Sequence, residues 1–160
     1  MPSPRSRVSS PGKQVVAFIA KFDAAVAKLA RASRSKMRKR LPTAVELVYD
    51  NYNGLAIGYG PTEKTSHAVL SLAVYAKGVH LYFLYGASLA DPDGVLEGEG
   101  SRGRFIRLSS AAMLDDPIVS KFVDAAIARA AVPFAPSGRG YTVVKSVSKK
   151  QRPRQSSSRA

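Results

Sequence analysis

The chain has 160 residues, of which 45% are apolar and 22% charged, so the composition fits neither a fully disordered chain nor a coiled-coil rod. It has no cysteine, which excludes a disulfide scaffold, a zinc–thiolate site and a thiol nucleophile. The longest apolar run, 15–20, is far shorter than the roughly 18 residues needed to span a bilayer. We therefore expect one soluble domain of ordinary size.

The positive charge is concentrated at the two ends of the chain. The formal net charge is +14, divided as +3 over 1–13, +7 over 14–40, −3 over 41–135 and +7 over 136–160. Both ends are rich in Ser, Pro and Arg and cannot bury enough apolar surface to offset chain entropy. We predict disordered basic tails at 1–13 and 148–160 around a single domain at 14–147, in a cytoplasmic protein.

The N-terminal part of the domain has a helical pattern. Apolar residues recur at spacings of 4, 3, 4 and 3, at Val15, Ile19, Phe22, Val26 and Leu29. Ser10 before Pro11 favours a helix start, and Asp23 is an alternative N-cap that would divide the segment into two helices. The basic run 31–40 and then Pro42 mark the end of the helical region.

The following residues predict one short helix and then several strands. Residues 43–46 read Thr-Ala-Val-Glu, the spacing of a capping box, which predicts a helix to about Tyr52. Alternating apolar residues predict strands at 55–59, 67–75 and 79–85. The turn Ala76-Lys77-Gly78 joins the last two strands into a hairpin.

The C-terminal half adds a loop, two strands and a helix. A turn-rich loop at 91–103 precedes a strand at 104–108, a helix from Asp116-Pro117 to about Ala130, and a last strand at 141–147. Short turns between strands favour antiparallel pairing. We predict an α+β fold with a central antiparallel sheet of about four to five strands, against which N-terminal helices and one C-terminal helix pack.

Several stretches of the chain carry the motifs of one known family. They are 41–53, Tyr82-Phe-Leu-Tyr-Gly86, Leu89-x-Asp-Pro92, Leu96-x-Gly98-x-Gly100, Arg104 and 145–154. Together they cover about 18–154 and resemble the YdhG-like domain, a bacterial family of unknown function. The resemblance implies a compact α+β domain with an antiparallel sheet flanked by helices, and it supplies no catalytic residues.

The resemblance also introduces iron by analogy, because some relatives are described as frataxin-like iron chaperones. It implies no required cofactor. The chain departs from the family pattern at Glu99 and Gly103 and has Ala24 where the family leads us to expect proline. The two departures in the loop weaken the transfer of any function of that loop.

Four carboxylates in the 91–99 loop are candidate metal ligands. They are Asp91, Asp93, Glu97 and Glu99. Hard cations and iron accept clustered oxygen ligands. However, the spacing is not that of an EF-hand, and Asp-Pro and Asp-Gly pairs are ordinary turn chemistry. A solvated acidic turn is therefore the alternative to a metal site.

Polar and aromatic side chains around the first strands are pocket candidates. They are Tyr49, Asn51, Tyr52, Asn53, Tyr82 and Tyr85. Their hydroxyl and amide groups could orient a ligand in a shared pocket. The alternative is that the tyrosines cover a sheet edge with hydrogen-bonded tips.

The basic runs are candidate contacts for a polyanion. Their members are Arg31, Arg34, Lys36, Arg38, Lys39, Arg40, Lys149, Lys150, Arg152 and Arg154. Basic groups bind nucleic acid weakly and without sequence preference through phosphates. Because no aromatic residue lies within these runs, stacking on single strands is poorly supported there. A solvated helix end and a solubilising tail are the alternative.

The two histidines, His67 and His80, lie in strand patterns, and no nucleophile motif is present. We therefore expect a non-enzymatic binding domain for an unidentified small ligand or protein, with no membrane partner, as a monomer or small homo-oligomer. The alternatives are an iron-handling chaperone that uses the acidic loop and a non-specific polyanion binder.

Overall fold

The computed structural model describes residues 9–156. Within them the helices are α1 (Pro11–Ala20), α2 (Ala24–Arg40) and α3 (Pro117–Ala128). The strands are β1 (Val45–Asp50), β2 (Leu55–Gly60), β3 (Leu70–Tyr75), β4 (Gly78–Phe83), β5 (Arg104–Leu108) and β6 (Thr142–Val147). Short 3₁₀ turns lie at Thr65–His67, Gly86–Ser88 and Ala111–Asp115. No helix in this part of the chain combines the length and apolar character needed to cross a bilayer.

The strands form one mixed sheet in the order β5-β4-β3-β2-β1-β6. The first five strands pair antiparallel with their neighbours along the chain, whereas β6 pairs parallel with β1. The predicted α+β class is confirmed, but the sheet has six strands and is not entirely antiparallel. The chain returns after α3 to the free edge of β1, where β6 supplies hydrogen-bond partners that an edge strand lacks.

The N-terminal segment is two helices, as the alternative with Asp23 as a second cap predicted. The Ser10 hydroxyl accepts a hydrogen bond from the Lys13 amide at 3.3 Å, which caps α1. Asp23 occupies the N-cap position of α2, but its carboxylate instead accepts hydrogen bonds from the amide and hydroxyl of Ser156. This carboxylate thus joins the start of α2 to the C-terminal segment.

The helix predicted at 43–52 is wrong, because residues 45–50 form β1. Val48 lies opposite Ile57 of β2, and both side chains are fully buried. Long-range pairing and burial on both faces of β1 outweigh the local capping-box spacing. The neighbouring predictions hold with shorter bounds: the predicted hairpin is present, but β3 begins at Leu70 and β4 ends at Phe83.

The three helices cover one face of the sheet. Leu72, Leu81 and Ile106 belong to the same apolar core as Val15, Phe22 and other helical residues. On the opposite face, Val45 and Leu47 form a small second cluster with Ala68, which lies in the segment 61–69. That segment covers the end of this face near β1 and β2. Alternation along the strands places Tyr75, His80, Tyr82 and Phe105 on the same helix-free face, beyond the covered part.

The predicted tails are described only in part. Residues 1–8 and 157–160 lie outside the described residues, and α1 begins at Pro11, inside the segment predicted as the N-terminal tail. At the other end, residues 148–156 lie against the domain through Gln151, Arg154 and Ser156.

Candidate functional site

Three aromatic rings form a continuous row across β3, β4 and β5 on the helix-free face. The Tyr75 and His80 ring centroids are 5.2 Å apart in an edge-to-face arrangement. The His80 and Phe105 rings stack in parallel with centroids 4.5 Å apart. Such neighbours arise because diagonal positions on adjacent strands are within reach of aromatic side chains. We call Tyr75, His80, Phe105 and the adjacent Tyr82 the aromatic face.

Tyr82 extends this face toward the 97–103 loop. It pairs with Phe105 across β4 and β5, and its side chain is 36% exposed. Gly103 lies against the hydroxyl end of the ring, since a Cβ atom built at this residue would lie 1.7 Å from the Tyr82 hydroxyl oxygen. The absence of a side chain at 103 therefore lets the loop approach the tip of this ring.

A groove of about 790 Å³ begins at the aromatic face and continues past the β3–β4 turn to the C-terminal segment. Lys77, Arg107 and Arg152 line it, and the described lining residues include no carboxylate. Glu97 approaches Arg107 to 3.3 Å, but both side chains are largely exposed, so Arg107 can exchange this partner for another anion at a cost of only about 0–1 kcal/mol. The groove is therefore positively charged.

His80 lies between the rings and the positive charges. Partial burial and the nearby Arg107 lower the pKa of His80 below its ordinary value, against a smaller opposite effect of Glu97. The direction of this shift favours the neutral form of the imidazole. In that form His80 adds no charge between Tyr75, which it meets edge-to-face, and Phe105, on which it stacks in parallel.

A buried ion pair holds the C-terminal segment that forms the outer wall of the groove. Arg154, only 7% exposed, donates from Nη2 to the Asp50 carboxylate at 2.8 Å and to the Asn51 carbonyl at 2.6 Å. Lys21 donates to the other Asp50 oxygen at 2.7 Å. Burial alone would raise the Asp50 pKa, but the hydrogen bonds from Lys21 and Arg154 lower it overall. The Asp50–Arg154 pair, together with the hydrogen bond that the Arg152 amide donates to the Tyr52 carbonyl at 2.9 Å, holds the segment that carries Arg152.

A second buried polar centre lies between α2 and the β1–β6 pair. Glu46 accepts two hydrogen bonds from Arg34, at 3.0 and 2.9 Å, and one each from Tyr59 and Thr142, at 2.8 and 2.7 Å. Burial alone would raise the Glu46 pKa, but Arg34 and the hydroxyl donors lower it overall. These four hydrogen bonds occupy the acceptor positions of the carboxylate. Because Arg34 lies in α2 and Tyr59 and Thr142 lie in strands, the centre joins α2 to the sheet.

The structure separates the predicted polyanion contacts into different environments. Arg34 and Arg154 are buried in the ion pairs just described, so neither is available to a polyanion. Lys36 pairs with Asp115, and Arg40 pairs with Asp124. The exposed members that form no ion pair within residues 9–156 are Arg31, Arg38, Lys39, Lys149, Lys150 and Arg152, and of these Arg152 lines the groove beside the aromatic face.

The predicted pocket residues do not share one cavity. Asn51, Tyr52 and Asn53 line a shallow depression near the ends of β1 and β2. The Tyr49 hydroxyl is hydrogen-bonded to Thr65 at 2.6 Å, under the segment that covers this face. Tyr82 belongs to the aromatic face, whereas Tyr85 lines a different pocket beside α3.

The four loop carboxylates have separate partners. Asp91 accepts hydrogen bonds from the amides of Val95 and Leu96, both at 2.8 Å, which closes the turn. Glu97 pairs with Arg107, while Asp93 and Glu99 are exposed. Within residues 9–156, no three His, Asp or Glu side chains are grouped as a metal site would require.

Reasoning from the sequence missed Tyr75, Lys77, His80, Phe105 and Arg107 as site residues. Their signal was present in the predicted hairpin, because the positions that alternate with its apolar core residues are Tyr75, His80 and Tyr82. A row of aromatic residues on the outward positions is unusual, because the solvent-facing side of an antiparallel sheet normally carries polar residues.

Comparison with protein-family models, with curated proteins and with solved structures finds no match to this chain. The resemblance to the YdhG-like domain therefore stays a prediction.

Proposed function

We propose that the protein is a non-enzymatic binding domain for single-stranded nucleic acid, which it holds on the aromatic face and in the adjoining groove. The observation that supports this most directly is the row of Tyr75, His80 and Phe105 beside a groove that carries Lys77 and Arg107. Flat rings next to fixed positive charges match the two parts of a nucleotide, its base and its phosphate.

The aromatic face supplies the contact with bases. Tyr75 and Tyr82 are 38% and 36% exposed, which leaves ring surface available for stacking. Stacking of a base on an aromatic side chain contributes about 1–3 kcal/mol and tolerates any base, since every base has a π-face. Duplex bases are already stacked and cannot reach these rings, so the face favours single strands.

The groove supplies the contact with phosphates. Lys77, Arg107 and Arg152 lie along it, and each phosphate that they neutralise releases condensed counterions. The net charge of +14 adds long-range attraction, which raises the rate of encounter with a polyanion. Positive charge alone would not distinguish single strands from duplex, so the discrimination comes from the aromatic residues.

The test measures fluorescence anisotropy of labelled oligothymidylate and oligouridylate of about twelve nucleotides, a length within the site sizes of single-strand binders. A duplex of the same length is the competitor. We expect Tyr75→Ala to weaken single-strand binding about 5- to 150-fold, which corresponds to the loss of one stacked base. Tyr141→Ala is the matched control, because Tyr141 is a 50% exposed tyrosine beside β6 at the far edge of the sheet.

A salt series tests the groove separately. Arg107→Gln is expected to reduce the slope of log K against log salt by roughly 0.7, the value for one phosphate contact on a single strand. Lys121→Gln on the exposed side of α3 is the control for charge and should leave the slope nearly unchanged. Binding the duplex as tightly as the single strand, or the absence of binding at about 50 mM salt, would refute the proposal.

A further inference from the structure

A second pocket lies on the opposite side of the sheet, where the ends of β3 and β4 meet the C-terminal part of α3. Its volume is about 230 Å³. The apolar residues that line it are Val69, Phe83, Leu89, Ala126, Ala130 and Ala131. It shares no lining residue with the groove beside the aromatic face, so a ligand in it and a nucleic acid in the groove would contact different residues.

The pocket is apolar inside and carries one permanent positive charge. Arg129 belongs to its lining and has no carboxylate partner within residues 9–156. Two other polar side chains of the lining have partners of their own, and the remaining one, Ser66, is uncharged. The Tyr85 hydroxyl donates to the Ser66 carbonyl at 3.0 Å, and the His67 Nδ1 atom lies 2.8 Å from the Thr62 hydroxyl. Arg129 is therefore the group that determines which ligand charge the pocket accepts.

We propose that this pocket binds a small carboxylic acid with an aromatic or short aliphatic body. The hydrocarbon part lies against Phe83, Leu89 and Ala126, and the carboxylate pairs with the Arg129 guanidinium, which binds planar carboxylates through two parallel hydrogen bonds. An apolar cavity of roughly 150 Å³ accommodates benzene, so a ring with a few further atoms matches a volume of about 230 Å³.

The charge and the size of the pocket exclude other ligand classes. A nucleotide is too large, and its phosphates would find only Arg129 as a cationic side chain among the described lining residues. A cation would be repelled by Arg129. A neutral hydrocarbon would fit the apolar part but would lose the charge-assisted hydrogen bonds, which are about twice as strong as neutral ones.

The experiment titrates the full chain with phenylacetate and hexanoate and follows backbone amide chemical shifts. Phenylacetamide and hexanamide are the matched neutral probes. We expect saturable shifts confined to 66–69, 83–89 and 126–131, with the acids binding at least about fivefold more tightly than the amides. Arg129→Gln should remove this difference, while Lys121→Gln, which alters another cation of α3, should preserve it.

Filling the pocket gives an independent measurement. Ala126 is 7% exposed and lines the pocket, so Ala126→Leu places a larger side chain in the ligand volume and should abolish the shifts. If Ala126→Leu does not fold, as judged by its thermal unfolding, Ala130→Leu at a half-buried position takes its place. The proposal is overturned if no saturable shift occurs up to about 10 mM acid, a very weak affinity. It is likewise overturned if acids and amides bind equally, or if the filled variants bind as the wild type does.

Discussion

Replacing Arg34 by methionine tests whether the buried centre around Glu46 holds α2 against the sheet. Glu46 is 3% exposed and receives two of its four hydrogen bonds from Arg34. Arg34→Met keeps the apolar stem of the side chain but leaves the carboxylate with only Tyr59 and Thr142. A buried charge that loses its partner destabilises a protein by about 3–5 kcal/mol, and we expect a loss of that size in the free energy of unfolding.

A second substitution should recover part of this loss. In Arg34→Met/Glu46→Leu no buried charge remains at this centre, and the cost is chiefly that of leaving the fully buried Tyr59 hydroxyl without an acceptor, about 1–3 kcal/mol. The double variant should therefore be more stable than Arg34→Met alone. Lys36→Met is the matched control on the same helix, because Lys36 forms an exposed pair with Asp115 and such pairs contribute about 0–1 kcal/mol.

The assay is urea unfolding followed by circular dichroism at several pH values. In the wild type the Glu46 pKa is lowered, so its contribution is complete above its ordinary pKa of about 4.3 and is lost as the pH falls through the folded value. In Arg34→Met, burial dominates and raises this pKa, so the deficit should narrow from about pH 7 to about pH 5. A deficit below about 1 kcal/mol, or a double variant no more stable than the single one, would refute this reasoning.

Two further predictions concern the groove and the aromatic face. Arg154→Met should release 148–156, seen as faster amide hydrogen exchange there, and weaken single-strand binding because Arg152 loses its position. Exchange in Arg154→Met no faster than in the wild type would contradict this prediction. Acidification should also weaken the Asp50–Arg154 pair: because the Asp50 pKa is lowered in the folded protein, the pair stabilises the fold above the ordinary pKa of about 3.9, and this stabilisation is lost as the pH falls through the folded value. Gly103→Ala should displace the Tyr82 ring, and because that ring is 36% exposed and its tip can move, the cost in free energy of unfolding should be about 1 kcal/mol or less, checked by aromatic proton shifts and urea unfolding; unchanged Tyr82 ring shifts would contradict this.

Much of the secondary structure could be predicted from local pattern. The β3–β4 hairpin, β5 and α3 follow from alternation, a two-residue turn and the Asp116-Pro117 start, all of which act over a few residues. The strand β1 could not, because Glu46 and Asp50 lie on its core-facing side and interrupt the apolar alternation. The two carboxylates can be buried there because cations distant in sequence pair with them, Arg34 with Glu46 and Arg154 with Asp50. The local residue spacing contains no information about those partners.

The sequence allowed us to predict some residue types of the candidate site but not how they are arranged in space. Alternation along the hairpin places Tyr75 and His80 on one face, but the stacking of His80 on Phe105 depends on which strand lies next to β4. Similarly, the basic runs indicated a polyanion, yet Arg34 and Arg154 are buried and Arg107 lies outside both runs. Which charges face solvent is decided by tertiary pairing.

The parallel pairing of β6 with β1 has a consequence for how the protein folds during synthesis. Thr142 of β6 donates a hydrogen bond to Glu46 of β1, 96 residues earlier in the sequence. The edge of β1 can therefore pair with β6 only after the last strand has been synthesised. At about 5–20 residues per second, that separation corresponds to roughly 5–20 seconds in which the edge of β1 is unpaired. The nascent chain exposes an open strand edge during this interval, and because such an edge can pair with another chain, association between nascent chains is most favoured between the completion of β1 and the emergence of β6.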